Sequence, residues 1–299
     1  MTKAEITLLD GGLGQELVKR SGDEPTALWS TQVMMDHPGL VAGLHRDYFD
    51  AGAMVATTNT YAILRDRLER AGIPERFKDL MAMALQEAHA ARDSFGSGRI
   101  AGSIGPLRAS YRPDIHPPVL EAMPLYAEVA ALQAPHVDLF ILETVSSLDH
   151  ARSALLAVRD HGRPVWLSLT VDDADGTRLR SGEPVAEALE IAADGAAAIL
   201  ANCSVPEAMP AALEIFARQS LPYGAYANAF TMITEAFLQD APTVAALSAR
   251  TDLGPAAYAD HALRWVDMGA TILGGCCETG PEHIREIASR LRAAGHTIV

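Results

Sequence analysis

The chain has 299 residues, 38 acidic against 24 basic, for a formal charge of −14, and 49% of them are apolar. That balance gives no general electrostatic reason to bind nucleic acid or an anionic membrane. No stretch approaches the ~18 uninterrupted apolar residues of a membrane span. Three cysteines make no disulfide framework, and the first residues hold no apolar signal region. The expectation is a cytoplasmic protein, whose thiols stay reduced and available to a metal.

In chain order, short β-rich runs alternate with longer helical patterns. The runs fall at 6–12, 53–59, 99–104, 138–143, 165–171, 197–202, 223–228 and 270–275. Most are nearly continuous in apolar or small residues, as expected for parallel strands covered on both faces. Helices are predicted over 147–160, capped by Ser146 or Ser147, over 206–218 with Ser204 as N-cap, and over 281–294, with Pro281 in the first turn and Gly295 at the C-terminal cap. Eight β-then-α units predict an α/β chain folded as one (β/α)8 TIM barrel over 1–299, with a doubly wound open sheet as the alternative. The long connections 105–118, 172–184 and 230–255 each follow a predicted strand. They either wall the site or are ordinary surface insertions.

The three cysteines sit where chemistry is expected. Cys203 follows Ala-Ile-Leu-Ala-Asn at the end of the sixth run, and Cys276-Cys277 follow Thr-Ile-Leu-Gly-Gly at the end of the eighth. Within a strand, adjacent side chains point to opposite faces. At a strand end, Gly274-Gly275 would let the backbone turn both thiols one way. Three thiolates on one zinc leave a fourth position open, the arrangement of a catalytic site. The competing reading is that these are simply buried cysteines.

Other strand-end residues add polar chemistry. Asp10 opens Asp-Gly-Gly-Leu-Gly, where glycines admit a ligand to the backbone and the carboxylate suits an amino acid's ammonium. Glu143 closes Leu-Phe-Ile-Leu-Glu, where a carboxylate is costly without a partner. It is a ligand contact, half of a structural ion pair, or a helix N-terminal charge. Residues 57–61, Thr-Thr-Asn-Thr-Tyr, supply hydroxyls and an amide. His89, His150, His161, His261 and His283 fall on helical patterns and form no His-Glu-x-x-His motif, so they read as surface or core residues.

These motifs together resemble the zinc-dependent homocysteine S-methyltransferase family, which includes S-methylmethionine- and betaine-dependent enzymes and the homocysteine domain of methionine synthase. The resemblance runs nearly end to end through Leu-Leu-Asp-Gly-Gly-Leu-Gly at 8–14, Ala-Thr-Thr-Asn-Thr-Tyr at 56–61, Gly-Ser-Ile-Gly-Pro at 102–106, Glu-Thr at 143–144, Asn-Cys-Ser at 202–204 and Gly-Gly-Cys-Cys-Glu at 274–278. It implies a barrel with zinc on Cys203, Cys276 and Cys277, and homocysteine contacts at Asp10, Gly11, Thr58 and Glu143. It also implies Asn228 as a fourth zinc ligand before substrate binds. Here the motif departs from the family's Tyr-Pro-Asn-Ser/Ala-Gly pattern, with Ala227 in place of Pro and Phe230 in place of Gly, which leaves the fourth ligand and the donor subclass open.

The implied reaction is methyl transfer to the thiol of L-homocysteine, giving methionine. A small sulfonium donor such as S-methylmethionine, S-adenosylmethionine or dimethylsulfoniopropionate is expected. The alternatives are a betaine-type donor, another thiol acceptor, or a zinc- or thiol-binding barrel without transfer. Trp29, Tyr61 and Tyr111 are candidate faces for a cationic donor, or packing residues.

Overall fold

Parallel strands with both faces covered need helices between them, and the structure, a computed structural model, supplies them. It describes residues 3–231 and 249–299. The strands are β1 (Glu5–Leu8), β2 (Val55–Thr57), β3 (Arg99–Ile104), β4 (Leu139–Val145), β5 (Val165–Leu169), β6 (Ala198–Asn202), β7 (Tyr223–Tyr226), β8 (Ile272–Leu273) and β9 (Thr297–Ile298). The helices are α1 (Leu13–Ser21), α2 (Ser30–Asp36), α3 (Leu40–Ala51), α4 (Arg65–Arg70), α5 (Phe77–Phe95), α6 (Val119–Gln133), α7 (Leu148–Val158), α8 (Val185–Ala193), α9 (Met209–Phe216), α10 (Pro255–Asp267) and α11 (Pro281–Ala293).

All strand pairs are parallel, in the order β2-β3-β4-β5-β6-β7-β8-β1, with β9 beside the start of β1. A parallel bridge between Leu9 and Val55 closes the ring. The Met54 amide donates to the Leu8 carbonyl at 2.8 Å and the Asp10 amide to the Val55 carbonyl at 3.1 Å. This is the expected eight-stranded α/β barrel rather than an open sheet.

Period-two alternation sorts the strand residues into two cores. Leu139, Ile141, Trp166, Ala198, Leu200 and Tyr226 pack with Leu9, Val55 and Ile272 inside the barrel. Phe140, Leu142, Leu167 and Ile199 face the helices. Residues that follow these strands therefore gather at one rim.

The elements differ from the sequence expectation in a few places. A ninth strand, β9, follows α11, and Gly295 turns the chain toward it with a left-handed φ of 86°. Ser204 does not cap the helix after β6; α9 begins only at Met209, with Ala208 at its N-cap. Instead the Ser204 hydroxyl donates to the Val171 carbonyl at 2.8 Å and accepts from the Val171 amide at 2.9 Å. Ser147 does cap α7, accepting from the His150 amide at 3.2 Å. The connection 230–255 lies largely outside the described residues.

One buried charge secures the rim from below. Helix α3 carries no side-chain cap of its own. Glu87 of α5 serves it, accepting from the Gly39 and Ala42 amides at 2.8 Å each. Helix α3 in turn carries Tyr48, whose hydroxyl lies 2.9 Å from the Gly12 carbonyl and 3.0 Å from that of Thr279. Hydrogen bonds to a charged group contribute about 1.5–3 kcal/mol. Glu87→Ala should therefore lower unfolding stability by about 2 kcal/mol, measured by urea denaturation. An unchanged midpoint would contradict this capping role.

Candidate active site

The rim above β6 and β8 brings the three thiols together. Cys203 follows Asn202 at the end of β6 with a left-handed φ of 51°. β8 stops at Leu273, and Gly274-Gly275 lead into a loop tied down by its backbone. The Gly275 amide donates to the Asp10 carbonyl at 3.0 Å, Cys276 to Ala227 at 2.9 Å, Ala229 to Cys277 at 2.9 Å and Gly12 to Thr279 at 2.9 Å. The Tyr258 hydroxyl lies 2.9 Å from the carbonyls of both Ala227 and Gly274. A Cβ on Gly12 would collide with the Cys276 carbonyl, so the glycine permits the close approach of the first and last βα loops.

The Cys277 sulfur is 3.9 Å from that of Cys203 and 4.0 Å from that of Cys276. Cys203 and Cys276 are joined as a disulfide. All three sulfurs lie within 4.8 Å of one another, the one such His/Cys/Asp/Glu group among the described residues. Burial pushes the Cys277 thiol up to about 12. A thiol so placed ionises at neutral pH only beside a positive charge.

A cavity of about 100 Å³ lies against the thiols, lined also by Gly12–Gln15 of the first loop and helix, Trp29, Thr57, Thr58, Tyr61, Tyr111, Glu143, Thr144 and Asn202. Trp29, Tyr111, Thr144 and Cys203 hold φ between 46° and 60°. They are four of the six non-glycine residues in the left-handed region among the described residues. Such conformations cost about 1–3 kcal/mol each and cluster at functional sites. A second, open cleft of about 990 Å³, lined by Arg112, His116, Asp149, Arg180 and Glu183, meets the cavity across Tyr111.

The predicted contact residues take different places. Glu143 lines the cavity. It accepts a hydrogen bond from Ser103 of β3 and another, at 3.1 Å, from the Tyr226 hydroxyl of β7. Burial raises its pKa, while those two bonds lower it. It has no cationic partner among the described residues, so the structural ion pair does not occur. Thr58 also lines the cavity, and its hydroxyl accepts from the Ser103 amide at 3.0 Å.

Asp10 sits one layer behind. Its carboxyl accepts from the Thr57 amide at 2.7 Å and from the Thr57 hydroxyl, so Thr57 rather than Asp10 faces the cavity. Burial pushes Asp10 up to about 8 despite those bonds. Gly11 packs against the Thr279 carbonyl and Tyr48, outside the cavity wall. Asn228 is buried, with its side-chain oxygen accepting from the Phe230 amide at 3.2 Å, and it too lies off the wall.

Sequence reasoning missed Ser103, Tyr226 and Gln15. Ser103 lay within a recognised motif, and strand alternation could have turned Tyr226 inward with Leu200 and Ile141. Gln15 offered only its place in the first turn of α1.

A family profile for homocysteine S-methyltransferase matches residues 7–291. The Escherichia coli homocysteine S-methyltransferase is 29% identical, over 97% of this chain and 96% of its own length. A Bacillus subtilis homocysteine S-methyltransferase, YbgG, is 27% identical over 96% and 95%. The crystal structure of the metallated form of the homocysteine methyltransferase MmuM from Escherichia coli superposes with a TM-score of 0.81 at 25% identity, covering 96% of this chain and 97% of that one. The chain belongs to the homocysteine S-methyltransferase family and is a methyltransferase.

Proposed function

We propose that this enzyme transfers a methyl group from a small methylated sulfonium compound to the thiol of L-homocysteine, giving methionine, with zinc held by Cys203, Cys276 and Cys277. The observation that carries this reading is the sulfur spacing. Zinc–thiolate bonds of about 2.3 Å place two sulfurs of a tetrahedral site about 3.8 Å apart. The two non-bonded pairs stand at 3.9 and 4.0 Å. Reducing the Cys203–Cys276 bond, with two electrons and two protons, frees the third pair. The residues present therefore fit the metal. Bound zinc supplies the charge that keeps a coordinated thiol ionised at neutral pH.

The chain's own residues then position two substrates. The first turn of α1 carries no side-chain cap, and its residues line the cavity. Their amides suit the carboxylate of an amino acid. Glu143 takes the ammonium, Thr58 adds a hydroxyl at the wall, and Gly11 lets the first loop close. Asp10 acts from behind by fixing Thr57. The acceptor fills the small cavity, and the donor reaches its sulfur from the larger cleft past Tyr111.

Trp29, Tyr61 and Tyr111 wall the cavity and suit a cationic donor. Arg67 stands 5.5 Å above the Tyr61 ring and Arg180 5.4 Å above that of Tyr111, so each tyrosine has one face already covered. In the transfer, a lone pair of the acceptor sulfur forms the new S–C bond. The donor's C–S bond breaks and its electron pair stays on the donor sulfur. That leaving group departs neutral, so no general acid is required, and alignment alone can contribute about 7–11 kcal/mol. A cytoplasmic setting, which keeps thiols reduced, suits this chemistry.

Protein purified under reducing conditions should hold about one zinc per chain, the capacity of a single three-thiolate site. Metal analysis of Cys276→Ser should show metal and methyl transfer lost together. Retention of both would overturn the ligand assignment.

The pH dependence follows from Glu143. Its raised pKa means that protonation, which removes the ammonium's counter-charge, begins above the ordinary carboxylate range. On acidification kcat/KM for homocysteine should fall along a limb set by this group in the free enzyme. Glu143→Gln should remove that limb and raise KM at neutral pH by about tenfold, or 1.4 kcal/mol. A limb unchanged in Glu143→Gln would contradict the assignment.

A further inference from the structure

The Asn-Cys-Ser motif contributes Cys203 to the thiol cluster, but its asparagine has no role in the scheme so far. Alternation along β6 puts Ala198 and Leu200 inside the barrel, so Asn202 points inward one layer above them. It is fully buried. Its side-chain oxygen accepts from the Thr144 amide at 3.0 Å and from the Ser168 hydroxyl of β5 at 2.9 Å. Its nitrogen donates to the Thr144 hydroxyl at 3.2 Å. One amide thus spans from β6 across β5 to β4.

What it grips is irregular. The β4–β5 register shifts between Leu142 and Val145, and Thr144 holds a left-handed φ of 57°. The consequence shows in the side-chain phase. Leu139 and Ile141 face the barrel interior, so a regular strand would put Glu143 and Val145 inward and Thr144 outward. Val145 instead packs with Leu142 in the outer core, while Glu143 and Thr144 both line the cavity. The extra residue of a bulge re-aims side chains in this way. A threonine held left-handed costs about 1–3 kcal/mol unless neighbours fix it, and Asn202 bonds both its backbone and its hydroxyl.

We propose that Asn202 is a positioning residue for the acceptor: by holding the bulge at Thr144 it aims the Glu143 carboxylate at the substrate's ammonium. Asn202 also precedes Cys203 directly. One side chain therefore fixes the distance between the amino-acid end of the site and its thiol end. This inference rests on the proposed role of Glu143, and the experiment separates the two.

Zinc-loaded wild type, Asn202→Ala, the double variant Asn202→Ala/Thr144→Gly, and Glu143→Gln are compared for homocysteine KM, kcat, zinc content and thermal melting. Asn202→Ala should raise KM about tenfold, the equivalent of one charge-assisted contact. Its kcat should change less than its KM, and its zinc content should hold. Glycine adopts the left-handed conformation without strain, so the double variant should recover most of the lost KM. It also keeps the test available if Asn202→Ala alone fails to fold. A generally structural asparagine would not be rescued by a glycine two strands away. An unchanged KM in Asn202→Ala beside an impaired Glu143→Gln, or a folded double variant with no rescue, overturns the role of Asn202. Loss of zinc in Asn202→Ala overturns it as well. An unchanged KM in Glu143→Gln overturns the Glu143 reading and this proposal with it.

Discussion

The site depends on a backbone constraint: the loop after β8 is held against the ends of β1 and β7 by main-chain hydrogen bonds. Gly275 is tied to Asp10, Cys276 to Ala227, and Ala229 to Cys277. A parallel barrel brings all strand ends to one rim, but that alone leaves two adjacent cysteines pointing apart. The glycine pair ends β8 after two residues, and the main-chain bonds then fix the direction of Cys276 and Cys277. From the helix layer, Tyr48 braces the carbonyls of Gly12 and Thr279, and Tyr258 those of Ala227 and Gly274. The thiols thus converge because main-chain hydrogen bonds hold the backbone around them.

The polar half of the site follows from the same economy of strand ends. Each carboxyl group is buried and raised in pKa, yet their surroundings separate their roles. Asp10 has both oxygens engaged by Thr57, and burial pushes it up to about 8. Glu143 faces the cavity and keeps donors on both oxygens from β3 and β7. A carboxylate after four apolar residues is costly, and those two bonds offset part of the cost.

Much of this was legible in the sequence. Eight apolar runs gave eight strands, since burial on both faces leaves a strong continuous signal. The three cysteines stood out because strand ends are countable from those runs. Other features depend on tertiary geometry that local patterns do not encode. Ser204 had the composition of an N-cap, yet the helix begins five residues later and the hydroxyl bonds Val171 across the sheet. Asp10 held the expected strand-end position, but Thr57 from the neighbouring strand shields it. The bulge at Thr144 inverts the inside–outside phase of β4, and no residue near 143 announces it; the side chain that bonds it, Asn202, lies 58 residues away. β9 was missed because two residues carry too little periodicity to read.

The central claim is that acceptor sulfur and donor methyl meet beside the three thiols. The most direct test incubates reduced, zinc-loaded enzyme with L-homocysteine and methyl-deuterated donors. The donors are S-methylmethionine, S-adenosylmethionine, dimethylsulfoniopropionate and betaine, and the product is followed by mass spectrometry. The account predicts methionine carrying the intact trideuteromethyl group from at least one sulfonium donor, and none from Cys276→Ser. Labelled methionine from betaine alone, or from no donor, would contradict it.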